Sequence, residues 1–217
     1  MNKEKARFNM IEQQIRPWGV YATNVLDLMS SLPREVFVPD DQKSLAFADL
    51  NIRLGNNQQM YAPREEARML QALALKHSDK ALEIGTGSGF CSALIASQVD
   101  ELLTIDIYPE FITAAKSRFK NLNLHNINTE VADITQDWQP NNLFDAIAIT
   151  AALKSSPNSY LNLLSPGGRL FCVEGKQNNQ YAKLYTCQSK GKYSVQNLFE
   201  MSTPNLLNES TKEAFVF

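Results

Sequence analysis

Apolar residues recur at helical spacing through the first third of the chain. Between residues 3 and 15 they share one helical face, and Pro17 ends the pattern. A second helical stripe follows, with Thr23 or Asn24 as its predicted N-cap. A third helix, rich in Ala, Leu, Glu and Arg, is predicted over residues 64–75.

From Lys80 onward, short apolar runs typical of strands alternate with helical patterns. This alternation predicts an α/β fold: a doubly wound, mainly parallel sheet with helices on both faces. Two alternating runs on either side of residues 189–192 add an antiparallel C-terminal hairpin, which makes the predicted sheet seven-stranded. The predicted parallel strands are 80–84, 101–107, 127–133, 143–150 and 169–175, and the helices between them are 89–98, 109–121 and 157–164.

The two patterns divide the chain into two parts. Residues 1–62 are predicted to form a helical N-terminal extension and a loop, and residues 63–217 a cofactor-binding core. Within the first part, residues 34–61 lack a clear period, which predicts loops with one short strand.

Charge and composition exclude several classes of function. The net charge is −2 with a pI of about 5.8, and the basic residues are scattered, so we expect no nucleic-acid partner. No apolar run has the length of a membrane span or a signal peptide. Three cysteines and two histidines, none at metal-ligand spacing, predict a reducing compartment and no metal site. We therefore expect a cytoplasmic protein without membrane contact, as a monomer or small homo-oligomer.

The stretch KALEIGTGSGFCSALIA predicts a strand, a glycine turn and a helix, an arrangement that usually holds an adenine-bearing cofactor. A dinucleotide fingerprint requires a third glycine where this chain has Phe90. Glu83 lies two residues before the first glycine, where a carboxylate suits an ammonium group better than a pyrophosphate.

Two aspartates end the next two predicted strands. Asp106 follows Gly85 by 21 positions, close to the offset of a ribose-binding acid. Asp133 could accept a hydrogen bond from an adenine amino group. Adenosine, an ammonium group and no phosphate together describe S-adenosylmethionine. The alternative is that these residues only form turns and helix caps.

The motifs LEIGTGSGF, TIDI, FDAIAIT and SPGGRLF, preceded by LPREVFVP and LGNNQQMYAPREEARML, resemble the protein-L-isoaspartate O-methyltransferases. The resemblance runs from about residue 8 to about residue 175. It implies the Rossmann-like fold of class I methyltransferases, S-adenosylmethionine as cofactor, and methylation of isoaspartyl carboxylates in damaged protein. A carboxylate of pKa about 3.5 is ionised at pH 7, so that reaction requires no general base.

The resemblance also assigns roles to individual residues. Tyr61 stands where the family has a serine that contacts the acceptor carboxylate, and it is the predicted catalytic residue. Asp106 is expected to hold the ribose, and Asp133 the adenine. The complete set of predicted cofactor-binding residues is Gln58, Met60, Glu83, Gly85, Thr86, Gly87, Gly89, Asp106, Ile107, Asp133, Ile134 and Thr150.

The chain departs from the family in its acceptor half. Tyr61 is bulkier than serine and could simply pack, and the C-terminus lacks the family's VRFVPL-like ending. Three alternatives therefore stay open: the same fold acting on another acceptor, a non-catalytic cofactor-binding protein, and a nicotinamide-dependent oxidoreductase. Phe90 and Glu83 make the last the weakest.

Overall fold

A computed structural model of the chain describes residues 2–136, 138–140, 142–176 and 179–209. Its centre is a seven-stranded sheet in the order β5-β4-β3-β6-β7-β8-β9. The strands are β3 (Lys80–Ile84), β4 (Glu101–Asp106), β5 (Ile127–Val131), β6 (Phe144–Leu153), β7 (Leu164–Lys176), β8 (Asn179–Ser189) and β9 (Lys192–Glu200). The helices around it are α3 (Pro63–Leu73), α4 (Phe90–Ala96), α5 (Pro109–Asn121) and α6 (Asn158–Leu161).

The first five sheet strands are parallel and the last two pair antiparallel, as the pattern of the sequence predicts. The chain runs outward from β3 to β4 and β5, then returns to the other side of β3 as β6. Ligands in open α/β sheets bind beyond the carboxyl ends of the strands at such a reversal. The predicted fold class is confirmed.

The N-terminal part contains α1 (Lys3–Met10) and α2 (Thr23–Ser31), followed by a hairpin of β1 (Ile52–Gly55) and β2 (Gln58–Met60). Buried side chains of this part, including Met10, Ile15 and Met29, belong to the same hydrophobic cluster as Ala81 in β3 and Ala93 in α4. The N-terminal part therefore packs on the core of the sheet.

Several predicted boundaries were wrong in this N-terminal part. The first α-helix ends at Met10, because residues 11–15 continue as a π-helical turn. Neither Thr23 nor Asn24 caps α2: Ala22 precedes it, and the Gln71 side chain accepts the backbone N–H groups of Tyr21 and Ala22 at 2.8 and 3.0 Å. A distant side chain therefore holds the residues that precede α2, and no side chain caps the helix itself. The region predicted to contain one short strand contains two.

Differences in the core are smaller. Helix α6 spans only Asn158–Leu161, and β7 begins at Leu164, within the stretch predicted as helix and turn. The register between β6 and β7 shifts there, so the glycines at 167 and 168 form an irregularity inside the strand pairing. Strand β5 ends at Val131, two residues before Asp133. Among the described residues, no helix has the length and apolar character needed to cross a membrane.

A buried ion pair connects the N-terminal part to helix α3. Arg34 and Glu66 are 1% and 0% exposed, and the guanidinium is paired with the Glu66 carboxylate. Arg34 also donates to the carbonyl oxygens of Ala46 at 2.9 Å and Tyr61 at 2.6 Å, and its guanidinium lies 5.0 Å from the centre of the Phe90 ring. Arg34 therefore connects three segments: the loop at Ala46, the stretch from Tyr61 to Glu66, and the start of α4 at Phe90.

Removing the cation should be strongly destabilising. Arg34→Met leaves the buried Glu66 carboxyl group and two carbonyl groups without their donor, so we expect a loss of about 3–5 kcal/mol in the free energy of unfolding, measured in urea at pH 7. Glu66→Gln keeps a hydrogen-bond acceptor for Arg34 and should lose less. A loss below about 1 kcal/mol for Arg34→Met would show that the pair does not hold these segments.

Candidate cofactor and acceptor site

A cavity of about 680 Å³ opens at the carboxyl edge of the sheet, beyond β3, β4, β5 and β6. Eight of the predicted site residues line it: Gln58, Gly85, Gly87, Asp106, Ile107, Asp133, Ile134 and Thr150.

The glycine turn after β3 forms the floor of this cavity. Gly85 has φ +100°, a conformation that L side chains rarely adopt, and an added Cβ would collide with the Thr150 hydroxyl. At Gly87, with φ +50°, an added Cβ would lie 3.2 Å from Leu54 of the β1–β2 hairpin. The turn is therefore enclosed by β6 on one side and by the hairpin on the other.

Asp106 ends β4 at the edge of the same cavity. Its two carboxylate oxygens accept the backbone N–H groups of Gly87 at 2.8 Å and Tyr108 at 2.9 Å. Burial raises the pKa of this carboxyl, and these hydrogen bonds oppose the rise. The bonds fix the side chain where β4 and the glycine turn meet, which is where the sequence predicts the ribose.

Asp133 lies beyond β5 and is held by the C-terminal segment. It accepts from the Thr135 hydroxyl at 2.6 Å and from the Asn208 side-chain amide at 2.7 Å. Partial burial favours the neutral acid, but these hydrogen bonds outweigh it and hold the pKa of Asp133 below its usual value. The carboxylate is therefore ionised at neutral pH.

A smaller cavity of about 280 Å³ adjoins the first and shares five of its lining residues: Leu54, Gln59, Gly85, Gly87 and Thr150. The predicted site residues Met60, Tyr61 and Thr86 line this second cavity. The two cavities together form an elongated site with the glycine turn at the junction.

Tyr61 is only 2% exposed, and its hydroxyl donates to the backbone carbonyl of Thr150 at 2.7 Å. Burial raises the pKa of this hydroxyl well above its ordinary value. Its own backbone carbonyl accepts from Arg34. The ring therefore fills the wall of the smaller cavity, and its hydroxyl already has an acceptor within the protein.

The structure does not bring Glu83 or Gly89 to either cavity. Side chains of β3 alternate between the two faces of the sheet, and Glu83 lies on the face covered by α4. There it accepts from Ser92 of α4 and, at 2.6 Å, from Thr104 of the neighbouring strand β4. Its second oxygen has no hydrogen-bond partner among the described residues. Gly89 precedes α4, and an added Cβ there would lie 3.0 Å from Ala115 and Phe119. Its role in this structure is packing.

Sequence reasoning missed the C-terminal segment as part of the site. After β9, the chain crosses the end of β6: Ala152 donates to Pro204 at 2.9 Å, and Leu206 donates back to Ala152 at 2.8 Å. Four residues of this segment line the main cavity: Thr203, Asn205, Leu206 and Leu207. The segment has no period or motif that would mark it. Residues 210–217, part of the predicted divergent C-terminus, lie outside the described residues.

The charge of the site is distinctive. Among the described residues that line the two cavities, none is Lys, Arg or His, and the acidic ones are Asp106 and Asp133. A pyrophosphate would have no cation to neutralise it here, whereas a cationic or neutral adenosine compound has suitable partners.

Comparison with known proteins agrees with this geometry. The family model for protein-L-isoaspartate(D-aspartate) O-methyltransferase matches residues 5–203. A protein-L-isoaspartate O-methyltransferase of Geobacter metallireducens is 33% identical over 198 residues, covering 91% of this chain and 92% of that protein. One from Picosynechococcus is 37% identical over 169 residues, covering 78% and 76%.

Solved structures show the same fold. The crystal structure of a Plasmodium falciparum protein described as a protein-L-isoaspartate O-methyltransferase, in complex with S-adenosyl-L-homocysteine, has a TM-score of 0.80 at 18% identity. The match covers 95% of this chain and 98% of the Plasmodium falciparum chain. With a family model over most of its length and relatives above 30% identity, this chain belongs to the protein-L-isoaspartate(D-aspartate) O-methyltransferase family.

Proposed function

We propose that the protein transfers a methyl group from S-adenosylmethionine to the carboxylate of isoaspartyl residues in proteins or peptides, as a step in the repair of damaged protein. The observation that carries this proposal is the charge of the site: two carboxylates and a glycine turn at the carboxyl edge of the sheet, with no basic residue among the described residues that line either cavity. Family membership supports the same chemistry.

The residues present fit this cofactor. Asp106 would accept from the ribose hydroxyls, and Asp133 with the apolar side chains of Ile107 and Ile134 would hold the adenine. The glycine turn and the smaller cavity would take the methionine part. The described residues of these walls include no Lys or Arg, which suits a sulfonium because it carries a positive charge of its own.

The chemistry requires orientation rather than acid–base groups. When bound, the cofactor would supply a sulfonium methyl group, whose transfer to a carboxylate oxygen would leave the electron pair of the carbon–sulfur bond on sulfur, with no proton gained or lost. The acceptor is already ionised at pH 7, so the absence of His and Lys from the described cavity walls is no obstacle. The protein's task is to align two groups and to exclude water.

The decisive experiment is transfer of labelled methyl from S-adenosylmethionine to an isoaspartyl peptide, with its normal aspartyl twin as control. We expect base-labile label on the isoaspartyl peptide alone. Cofactor binding without label on that peptide would favour the same fold acting on another acceptor, which the replacement of serine by Tyr61 also suggests.

The ribose assignment of Asp106 is tested by Asp106→Asn. Replacing the charged acceptor should weaken the binding of S-adenosylhomocysteine by about 1.5–3 kcal/mol, or about 10- to 150-fold in Kd, measured by calorimetry. Asp145→Asn is the matched control, because Asp145 accepts from Lys80 at the opposite end of β3 and β6. Equal affinity in the two variants would refute the assignment.

Glu83 should make stability depend on pH. Burial raises its pKa to about 8 in the folded protein, against about 4.3 in an unfolded chain. Between these values the folded state keeps a proton that the unfolded state has released, so stability should fall as pH rises from about 4.3 to about 8. Glu83→Gln, measured by urea unfolding at pH 5, 6, 7 and 8, should show a flatter dependence. Parallel profiles for the two proteins would contradict this account.

Tyr61→Phe tests what the tyrosine hydroxyl does. Loss of its bond to Thr150 should lower the free energy of unfolding by about 0.5–1.5 kcal/mol. If stability is instead unchanged while KM for the isoaspartyl peptide rises, the hydroxyl contacts the acceptor, as the sequence predicts. Urea unfolding and initial-rate kinetics on the same preparation distinguish the two results.

A further inference from the structure

Three described side chains with hydroxyl groups line the main cavity: Tyr108, Thr150 and Thr203. The Thr150 hydroxyl is occupied, since it donates to the carbonyl oxygen of Gly85 at 2.8 Å or of Ile84 at 3.1 Å. Tyr108 lies two residues after the end of β4 and donates its backbone N–H to Asp106, so it lies at the predicted ribose end of the site. Thr203 is the hydroxyl that remains, and it lies beside Thr150 at the junction of the two cavities.

Thr203 lies beside the position where the family has its serine. Its hydroxyl is 3.4 Å from the Thr150 carbonyl, the same oxygen that accepts from Tyr61 at 2.7 Å. A separation of 3.4 Å is long for a hydrogen bond between two oxygens, whereas 2.7 Å is ideal. The Tyr61 hydroxyl is thus committed to the Thr150 carbonyl. The Thr203 hydroxyl has only this long contact and a hydrogen bond to Tyr61, which works against the rise in the pKa of that tyrosine, so it can turn from Tyr61 to another acceptor.

The backbone holds Thr203 firmly in this place. Its N–H donates to the Gln180 side chain at 2.8 Å, and the residue is 6% exposed. The preceding residue, Ser202, accepts through its carbonyl from Gln59 of β2 at 3.0 Å. The C-terminal segment and the β1–β2 hairpin therefore meet directly at Thr203, and the side chain is fixed at the wall of the cavity.

We propose that Thr203 donates the hydrogen bond that binds the acceptor carboxylate, and that Tyr61 acts as a positioning residue by fixing the Thr150 carbonyl. This inference rests on the proposed carboxyl methyltransferase function. An O–H donor to a carboxylate is among the stronger hydrogen bonds in proteins. It leaves the carboxylate ionised, with its second oxygen available to attack the methyl carbon.

The test uses the full-length protein, S-adenosylmethionine and an isoaspartyl peptide. Thr203→Val keeps the shape of the side chain and removes the donor, so kcat/KM for the peptide should fall about 10- to 100-fold, mainly through KM. The Kd for S-adenosylhomocysteine should stay within about twofold. Thr203→Ser should restore most of the activity, and Ser202→Ala, which removes the neighbouring hydroxyl, should behave as wild type.

Each other result overturns the inference in a recognisable way. Normal peptide kinetics in Thr203→Val would show that Thr203 only forms the wall. An equal loss of cofactor affinity would place its role in cofactor binding. A wild-type protein that binds S-adenosylhomocysteine but neither methylates nor binds the isoaspartyl peptide would overturn the proposed function, and this inference with it. If Thr203→Val fails to fold, Thr203→Ala is read by the same criteria.

Discussion

The buried pair of Arg34 and Glu66 is the interaction on which the rest of the site depends. Taking two charges out of water is costly, and their attraction compensates only when the geometry is good and the remaining donors are satisfied. Each Arg34 nitrogen has an acceptor, in Glu66 and in the carbonyl groups of Ala46 and Tyr61, whereas the second Glu66 oxygen has no hydrogen-bond partner among the described residues. Arg34 therefore fixes the backbone at Tyr61, and the Tyr61 ring forms part of the wall of the smaller cavity.

That anchoring explains how short elements form a precise site. The β1–β2 hairpin has strands of only four and three residues, too little to be stable alone. It is held by Arg34 at Tyr61, by packing of Leu54 on Gly87, and by Gln59 on Ser202. This side of the site therefore consists of three segments that contact one another: the β1–β2 hairpin, the segment around Arg34 and the C-terminal segment.

The sequence predicts the parts of this molecule whose signal is local. Hydrophobic periodicity and glycine spacing predict the strands of the sheet, most helices and the glycine turn. The positions of Asp106 and Asp133 at the ends of predicted strands mark both as candidate site residues. The roles of Glu83 and Thr203 could not be read in the same way. The face on which Glu83 lies is decided by packing against α4, and the Thr203 contact joins residues far apart in the chain. Motif spacing carries no information on such contacts.

The replacement of serine by tyrosine is understandable in these physical terms. A reaction that needs no general base depends on the placement of one oxygen relative to one carbon, so the wall around that oxygen must be rigid. A serine at this position could supply a donor but would leave the space beside Thr150 unfilled. Tyr61 fills that space and fixes the carbonyl, and the donor then has to come from another segment. The C-terminal segment, which crosses the end of β6, places a threonine where it can meet that need.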